Sequence, residues 1–354
     1  MSGRRYQPEV LKNFAVQALT CRGMAHRAAN RVAEALLEAD LLGHSTHGLA
    51  LLSDYVSEIE AGEMNVSGDP EVLVDHGAIV TWDARRLPGL WTTSLAVDVA
   101  KERAGRLGVG AVAIRRSHHI GCLASFLEAP AREGYLVLIF SSDPSDAHVA
   151  PFGATTPVMT PNPIAAGIPG RPDPVLIDVS TSVTTAAMAS GARDSGNPLP
   201  HKWLLDSSGN ATDNAAHFGK GTTILPIGGI DHGHKGYALS FLVEALSQGL
   251  SGFGRRDCTT QWGASVLVMV FAPAVFGSQD VFLDQVDFIA NACRNATPVP
   301  GGKDVRLPGE AGLKRKREAL LHGLMVSSQI SEDLDALARR LELEVPAPMN
   351  VIHA

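Results

Sequence analysis

The sequence predicts an α+β fold in which helical segments from both ends of the chain flank a mixed-sheet domain. Apolar residues recur at helical spacing before residue 62 and again in the C-terminal tail. Between them, short apolar runs alternate with helical segments, and residues 143–235 hold too many proline, glycine, serine and threonine residues for a helical bundle. We therefore expect residues 1–72 and 304–354 to pack together as a helical part and residues 73–303 to form the sheet domain.

Each element follows from a local pattern. Apolar positions at helical spacing predict helices near residues 10–19 and 28–37, and a third helix over Leu49–Ala61 that ends at Gly62. The period then changes, and VLVDHG and AIVTWDA predict two strands joined by a turn. Further strands are predicted at VGAVAIRRS, YLVLIFSS, PVLIDVS and SVLVMVFAP, and further helices at Leu95–Arg106, Phe126–Glu133, Tyr237–Leu250, Asp280–Asn295 and in the tail through Leu341.

Composition limits the class of function. The chain has 354 residues, 45% of them hydrophobic, and a formal net charge of −7. A negative protein is a poor partner for nucleic acid, because phosphate binding needs a basic face, so we expect no nucleic-acid partner. The compact basic run Lys314–Arg317 precedes a helical pattern and is interpreted as a solvated helix start.

The cysteines and the apolar runs indicate the compartment. The four cysteines form no CxxC pair, which favours reduced thiols over a disulfide framework. No apolar region follows Arg4 and Arg5 as it would in a signal peptide, and no run reaches eighteen apolar residues. We expect a cytoplasmic protein without a membrane partner.

A glycine motif that resembles the dinucleotide-binding fingerprint lies between the wrong secondary-structure elements. Gly108, Gly110 and Ala113 match GxGxxA, but a predicted helix precedes them and a predicted strand follows, whereas the fingerprint needs the reverse order. Gly105 and Gly108 are better explained as the end of that helix and its turn.

Three histidine pairs carry the stronger signal, because imidazole transfers protons near neutral pH. Each pair lies where a loop meets a regular element: His44 and His47, His118 and His119, and His232 and His234. Zinc chelation is the rival explanation. The chain lacks HExxH and has no acidic or cysteine ligand at standard spacing, so we predict no metal.

Seven segments together resemble a known family. They are THGLALLSDYVSEIEAG, RRSHHIG, VAPFGA, TPNPIAAGIP, LIDVSTS, GHKGYALSFLVEAL and RLPGE, in this order. The chain is similar, over about residues 8 to 340, to the type-2 malate/L-lactate dehydrogenases. That family includes sulfolactate, ureidoglycolate, diketogulonate and hydroxycarboxylate dehydrogenases and a piperideine-carboxylate reductase. The resemblance implies a non-Rossmann domain that binds NAD or NADP, and a homodimer with active sites near its interface.

The resemblance also implies catalytic residues. The family's Ser-His-Gly motif is Thr46-His47-Gly48 here, which makes His47 the expected proton carrier, with the Thr46 hydroxyl beside it. A neutral imidazole takes the hydroxyl proton when a hydride leaves the alcohol carbon, and Asp178 is expected to orient and stabilise the ring. The alternative proton carrier is His119, and we favour His47.

Cofactor contacts are implied in the same way. The stretch Asp178–Thr184 matches a family segment that lines the nicotinamide nucleotide, and Lys235 is expected to offer its charge to the pyrophosphate or ribose. The full expected set is Ser142, Asn162, Asp178, Val179, Ser180, Thr181, Ser182, His234, Lys235, Gly309 and Glu310.

Two positions depart from the family pattern. Thr46 adds a methyl group beside the base, and Leu51 stands where many members place an arginine that holds the substrate carboxylate. An arginine forms two hydrogen bonds to a carboxylate and leucine forms none. Arg193 and Arg116 are the candidates for a replacement.

The sequence hypothesis is a nicotinamide-dependent oxidoreductase that interconverts a small 2-hydroxy acid and its 2-oxo acid. Within the enzyme class, the alternative is an NAD(P)H-dependent reductase of a cyclic imine carboxylate. From another class, the alternative is a catalytically silent ligand-binding homodimer, which the departures at Thr46 and Leu51 favour and the intact histidines oppose.

Overall fold

The computed structural model describes residues 3–349 as twelve strands and twelve α-helices. The strands are β1 (Gly3–Tyr6), β2 (Glu71–Asp75), β3 (Ile79–Asp83), β4 (Val109–Ser117), β5 (Leu136–Ser142), β6 (Ile164–Ile168), β7 (Val175–Val179), β8 (Leu204–Leu205), β9 (Ala211–Thr212), β10 (Thr223–Ile224), β11 (Ala264–Phe271) and β12 (Leu324–Ser327). The helices are α1 (Pro8–Thr20), α2 (His26–Leu42), α3 (Leu52–Glu60), α4 (Gly89–Leu107), α5 (Glu128–Arg132), α6 (Ala186–Ser195), α7 (Gly229–His232), α8 (His234–Glu244), α9 (Pro273–Phe276), α10 (Gln279–Arg294), α11 (Glu310–His322) and α12 (Ser328–Leu341).

A seven-stranded mixed sheet forms the centre, in the order β2-β3-β4-β11-β5-β6-β7. The pair β3–β4 is parallel, and the other five pairs are antiparallel. The α4 crossover between β3 and β4 explains the parallel pair, since parallel neighbours need a long connection. Strand β11 joins the middle of the sheet from far along the chain, which sequence periodicity does not reveal.

Segments from the two ends of the chain meet in a two-stranded ribbon and in helix packing. Strand β1 pairs antiparallel with β12, and Tyr6 at the ribbon's end is fully buried. Helix α1 packs on α2 and α12, and α11 packs on α2. The apolar faces of these helices and one side of the sheet share a continuous core.

The basic run at Lys314–Arg317 lies near the start of α11 and is exposed as expected, except at Lys316. Lys316 is partly buried, and its ammonium lies 2.6 Å from an oxygen of Glu38 and 2.8 Å from an oxygen of Glu128. Burial raises the pKa of Glu38, which the positive charge of Lys316 opposes. The lysine therefore ties α11 to α2 and α5, a role that charge spacing alone does not show.

Most predicted elements are present, with shifted ends. Helix α4 begins at Gly89, six residues before the predicted start, and Gly108 ends it in the left-handed conformation as expected. The predicted helix Tyr237–Leu250 is α8 followed by a π-helical turn at Ala245–Gly249. The short strands β1, β6 and β12 and helix α6 were not predicted. Along residues 3–349, none of the helices combines the length and apolar character needed to cross a bilayer.

Candidate active site

A cleft with a volume of about 770 Å³ lies at one end of the central sheet. Strands β4, β5 and β7 end there, and β6 and β11 begin there, because antiparallel neighbours bring the end of one strand beside the start of the next. The loop between α2 and α3 also contributes to the lining. Elements far apart in sequence therefore deliver side chains to one cavity.

Asp40 fixes the loop that carries His47 through a hydrogen bond to its backbone. An oxygen of Asp40 accepts a 2.7 Å hydrogen bond from the backbone N–H of Leu49. A Cβ on Gly48 would lie 2.3 Å from that oxygen, so only glycine allows the loop to approach so closely. Burial raises the pKa of Asp40 to about 7, and the hydrogen bond from Leu49 opposes this.

His47 is half-buried and lines the cleft. Its Nδ1 lies 3.0 Å from the hydroxyl of Thr46, so the hydroxyl is its hydrogen-bonding partner. Burial lowers the pKa of His47, the charge of Asp178 opposes this, and His44 adds to it. Because Nδ1 is occupied by Thr46, Nε2 is the ring nitrogen left to exchange a proton with a ligand.

Asp178 was expected to orient His47 and to stabilise its charge, and in the structure its hydrogen bonds go to other groups. One oxygen of Asp178 accepts a 2.8 Å bond from the backbone N–H of Ala124 and a 3.4 Å bond from the thiol of Cys122. The carboxylate therefore caps the 3₁₀ turn Leu123–Phe126 and acts on His47 through its charge. Burial raises the pKa of Cys122, so its thiol stays protonated and remains the donor.

His119 lies beside His47, with 6.1 Å between the ring centroids. Its Nδ1 is 2.9 Å from the Tyr55 hydroxyl and 3.4 Å from the backbone N–H of Gly121. A backbone N–H only donates, so Nδ1 is an acceptor and the neutral ring carries its proton on Nε2. Burial lowers the pKa of His119 well below its ordinary range, and His47 and His118 lower it further.

Aromatic rings surround His119. The indole of Trp262 stacks on its imidazole, with 4.5 Å between centroids and 25° between planes. Tyr55 and His118 pack edge-on or tilted against the same indole. His118 is fully buried, and its Nε2 lies 3.1 Å from an oxygen of Glu58. Burial lowers the pKa of His118 to about 3, so its ring is neutral at physiological pH. His118 therefore serves as a packing residue and not as a proton carrier.

Ser142 and Asn162 line the cleft, but their polar atoms are already engaged. One oxygen of Glu244 accepts a 2.9 Å bond from the Ser142 hydroxyl, a 2.9 Å bond from the Asn162 amide and a 3.0 Å bond from Arg255. The π-helical turn after Glu244 places Gln248 so that its amide donates to Ser142. These hydrogen bonds hold the floor of the cleft together, and the contact of Ser142 and Asn162 with a cofactor stays a prediction.

The segment after β7 folds on itself at the entrance to α6. Three side-chain hydroxyls in this segment donate to backbone carbonyls. The Ser180 hydroxyl donates to the carbonyl of Ser182, the Ser182 hydroxyl to the carbonyl of Thr184, and the Thr181 hydroxyl to the carbonyl of Pro161. Asp178 and Ser180 line the cleft, as does the first turn of α6. Thr185 caps this helix by accepting from Met188 N–H, and the free N–H groups of a first helical turn suit an anion.

The other expected cofactor residues lie outside the cleft. His234 contacts the ring of Phe152, and Lys235 is exposed at the start of α8. Gly309 packs against Leu176 of β7, and Glu310 accepts a 2.9 Å bond from Leu307 N–H, so this pair joins α11 to the sheet edge. Val179 is 48% exposed, and Thr181 and Ser182 are buried in the turn.

Neither arginine proposed as a replacement for the family's carboxylate ligand reaches the cleft. Arg116 pairs with the buried Asp83, and Arg193 pairs with its neighbour Asp194. Leu51 packs against the main core. Among the described residues, the lining contains Asp143, Asp146 and Asp178 but neither lysine nor arginine. Both arginines are therefore engaged in ion pairs away from the cleft lining.

Comparison with known proteins gives the family. A family model described as malate/L-lactate dehydrogenase matches residues 6–335. The chain belongs to the malate/L-lactate dehydrogenase family. It is therefore an oxidoreductase of the 2-hydroxy acid dehydrogenase class, and such enzymes use NAD or NADP.

Relatives and solved structures agree with this membership. An L-lactate dehydrogenase of Cupriavidus necator is 31% identical over 328 residues, which cover 90% of this chain and 92% of that enzyme. The structure of the malate dehydrogenase of Entamoeba histolytica has a TM-score of 0.91 at 22% identity, and the match covers 98% of this chain and 100% of that one. At this identity the likeness establishes only the fold. The Δ1-piperideine-2-carboxylate reductase of Pseudomonas syringae has a TM-score of 0.83 at 26% identity, with 95% and 100% coverage.

Sequence reasoning missed Tyr55, Trp262, Glu244 and Asp40. Tyr55 follows His47 by eight residues on α3, and no spacing rule links it to His119. Trp262 precedes β11, and its role depends on that strand lying between β4 and β5. For Glu244 the available signal was weak, since it is the one acidic residue in a helix of otherwise apolar or small residues after Lys235.

Proposed function

We propose that this malate/L-lactate dehydrogenase family member interconverts a 2-hydroxy acid and its 2-oxo acid in the cleft, with His47 as the proton carrier. The observation that carries the proposal is the pair of imidazoles, His47 and His119, 6.1 Å apart in a cleft that Asp178 also lines. Removing a hydride from an alcohol carbon requires a neutral base for the hydroxyl proton, and two neutral imidazoles are available there.

The electrostatics favour His47 over His119 for this task. In the reductive direction the proton carrier must be an imidazolium, and the charge of Asp178 stabilises that form of His47. No carboxylate favours the charged form of His119, which His47 and His118 further disfavour. With its proton on Nε2, neutral His119 is a hydrogen-bond donor for the substrate oxygen. His119 as the carrier remains the rival placement.

The residues of the cleft fit a nicotinamide dinucleotide. A volume of about 770 Å³ lies within the range of ligand clefts, and the start of α6 with Ser180 offers N–H and hydroxyl groups to phosphate and ribose. The dinucleotide would supply the acceptor or donor of the hydride. The turn from α4 to β4 holds the GxGxxA glycines outside a strand-to-helix context, which supports binding without a Rossmann motif.

The proposed enzyme acts as a homodimer and works in the cytoplasm. Helix α8 and the turn after it expose Leu239, Phe241, Leu242 and Leu250, an apolar surface that a second copy would cover. The packing of α1, α2, α11 and α12 supports one helical domain built from both chain ends. The four cysteines are free thiols, which supports a reducing compartment. Light scattering at micromolar concentration tests the homodimer, and an active monomer would contradict it.

The decisive experiment is a panel of 2-hydroxy acids with NAD and NADP, followed at the nicotinamide absorbance, with the 2-oxo acids and reduced cofactors as the reverse arm. We expect turnover of at least one acid in both directions. The absence of turnover with every acid and both cofactors would contradict the proposal and leave a ligand-binding protein as the explanation.

A cyclic imine carboxylate is the second candidate substrate. The structural similarity to the Pseudomonas syringae reductase supports it, since the same scaffold delivers a hydride to C=N there. Adding Δ1-piperideine-2-carboxylate to the reductive arm separates the two, and we expect the 2-oxo acid to be reduced faster.

A further inference from the structure

Trp262 is an aromatic wall of the cleft beside the histidine that would hold the substrate oxygen. Its indole lies 4.5 Å from the imidazole of His119, and the residue lines the cavity. If the substrate oxygen at C2 is bonded to His119, the other groups on C2 lie within a few ångströms of this indole. Trp262 is therefore placed to contact the substrate side chain.

The position of Trp262 is built from several fixed contacts. Its carbonyl accepts a 2.9 Å bond from the guanidinium of Arg86, whose other N–H groups donate to the Glu63 carbonyl at 2.6 and 2.9 Å. At the next residue, a Cβ on Gly263 would lie 2.4 Å from the carbonyl of Ser117, so the backbone is pressed against β4. The indole therefore belongs to a preformed surface and not to a free loop.

The charges of the lining disfavour a second acid group on the substrate. Among the described residues, the cleft holds three aspartates and no lysine or arginine. Its basic side chains are histidines, and His148 is already paired with Asp146 at 2.8 Å. The guanidinium of Arg86 donates to the carbonyls behind the indole. A second carboxylate or a sulfonate near Trp262 would be desolvated without a strong partner.

We propose that Trp262 selects 2-hydroxy acids with an apolar side chain at C2, of aliphatic or aromatic type, over dicarboxylic and sulfonic acids. This inference rests on the proposed function and deepens it. The same lining includes the exposed apolar side chain of Met188. An apolar side chain gains contact with these groups, whereas a second anion gains none.

The test compares kcat/KM for 3-phenyllactate, 2-hydroxyisocaproate, lactate and malate in the native enzyme, Trp262→Ala and Trp262→Phe. We expect the two bulky apolar acids to exceed malate by at least about 100-fold. Trp262→Ala removes the ring stacked on His119 and should lower kcat/KM for every acid, but it should lower the ratio of kcat/KM for 3-phenyllactate to that for lactate at least about tenfold, and Trp262→Phe should keep more of this ratio than Trp262→Ala. A native preference for malate, or an equal loss for all acids in Trp262→Ala, would overturn the inference.

A binding measurement separates this failure from failure of the proposed function. Calorimetry of the protein with phenylpyruvate and with oxaloacetate, in the presence of oxidised cofactor, reads the preference without turnover. Tighter binding of phenylpyruvate that weakens in Trp262→Ala supports the inference even in a protein that turns over neither. Tighter binding of oxaloacetate overturns it even in an active dehydrogenase.

Discussion

The hydroxyl of Tyr55 lies 2.9 Å from Nδ1 of His119, inside the main core of the protein. This contact and the Gly121 N–H fix which nitrogen of His119 faces a ligand as a donor. Tyr55→Phe removes the hydroxyl and leaves the ring packing. We expect kcat to fall about 5- to 100-fold, as for the loss of one hydrogen bond to a positioned group, with the cofactor KM unchanged. Steady-state kinetics measure both, and an unaltered kcat would show that this bond does not orient His119 for catalysis.

Alanine variants of the two histidines separate the proton carrier from its neighbour. His47→Ala should lower kcat about 10²- to 10⁴-fold while dinucleotide binding, measured by fluorescence titration, is retained. His119→Ala should raise the KM for the acid and lower kcat less. If His119→Ala loses the activity and His47→Ala keeps it, the roles are reversed. If neither loses activity, the acid/base hypothesis falls.

The charge of Asp178 should appear in the pH profile. It raises the pKa of His47 against the lowering by burial, so Asp178→Asn should lower that pKa further. Oxidation needs the neutral ring, so the acidic limb of its kcat/KM profile should move to lower pH. Reduction needs the imidazolium and should slow at neutral pH. The amide oxygen still accepts from Ala124 N–H, so an unchanged melting temperature is the control. Coincident profiles would contradict the role of Asp178.

Asp40 should make stability depend on pH near neutrality. In the unfolded chain its carboxyl ionises near 3.8 and in the folded protein near 7, so the folded state binds more protons between these values. The free energy of unfolding should therefore fall as pH rises from about 4 to about 7, by at most roughly 4 kcal/mol. Asp40→Asn should flatten this dependence and be the more stable form at pH 8. Urea unfolding at pH 5 and pH 8 measures the change in the free energy of unfolding with pH in the native protein and in Asp40→Asn. An equal change in the two proteins would contradict this role of Asp40.

Lys316 should matter more to stability than its neighbour. Lys316→Met leaves Glu38 and Glu128 without their shared cation, and we expect a loss of about 3 kcal/mol. The matched control is Arg317→Met, because Arg317 is 53% exposed in its pair with Asp173 and should cost less than about 1 kcal/mol. Thermal unfolding compares them. Similar losses for the two variants would show that the partly buried cluster has no special weight.

The extent of sequence prediction differs between the fold and the site. The central strands were predicted because β4, β5 and β11 are apolar runs bounded by turns, and this pattern is local. The β1–β12 ribbon was not predicted, because GRRY and LMVS are short segments. Each forms a strand only by pairing with the other. A strand defined by a partner more than three hundred residues away has no local signal.

In the site, motifs identified the loops, and the structure decided the contacts. Histidine spacing led to His47 and His119, which do lie together. Lys235 and Glu310 belong to equally clear motifs, yet they lie outside the cleft, because a motif does not say which side of an element faces a cavity. Ser142 and Asn162, which are expected to contact a cofactor, also hydrogen-bond to Glu244 far along the chain, and no motif predicts this link.

The β1–β12 ribbon sets the order in which the protein assembles as it leaves the ribosome. Helices α1 and α2 are made long before α11 and α12. Strand β1 can pair only after residues 324–327 have been made, and the sites where α11 and α12 pack stay uncovered until about three hundred further residues have followed. At about 5–20 residues per second, the parts of α1 and α2 that α11 and α12 cover remain exposed for tens of seconds. During synthesis this surface therefore stays open to solvent and to chaperones, although it is buried in the finished enzyme.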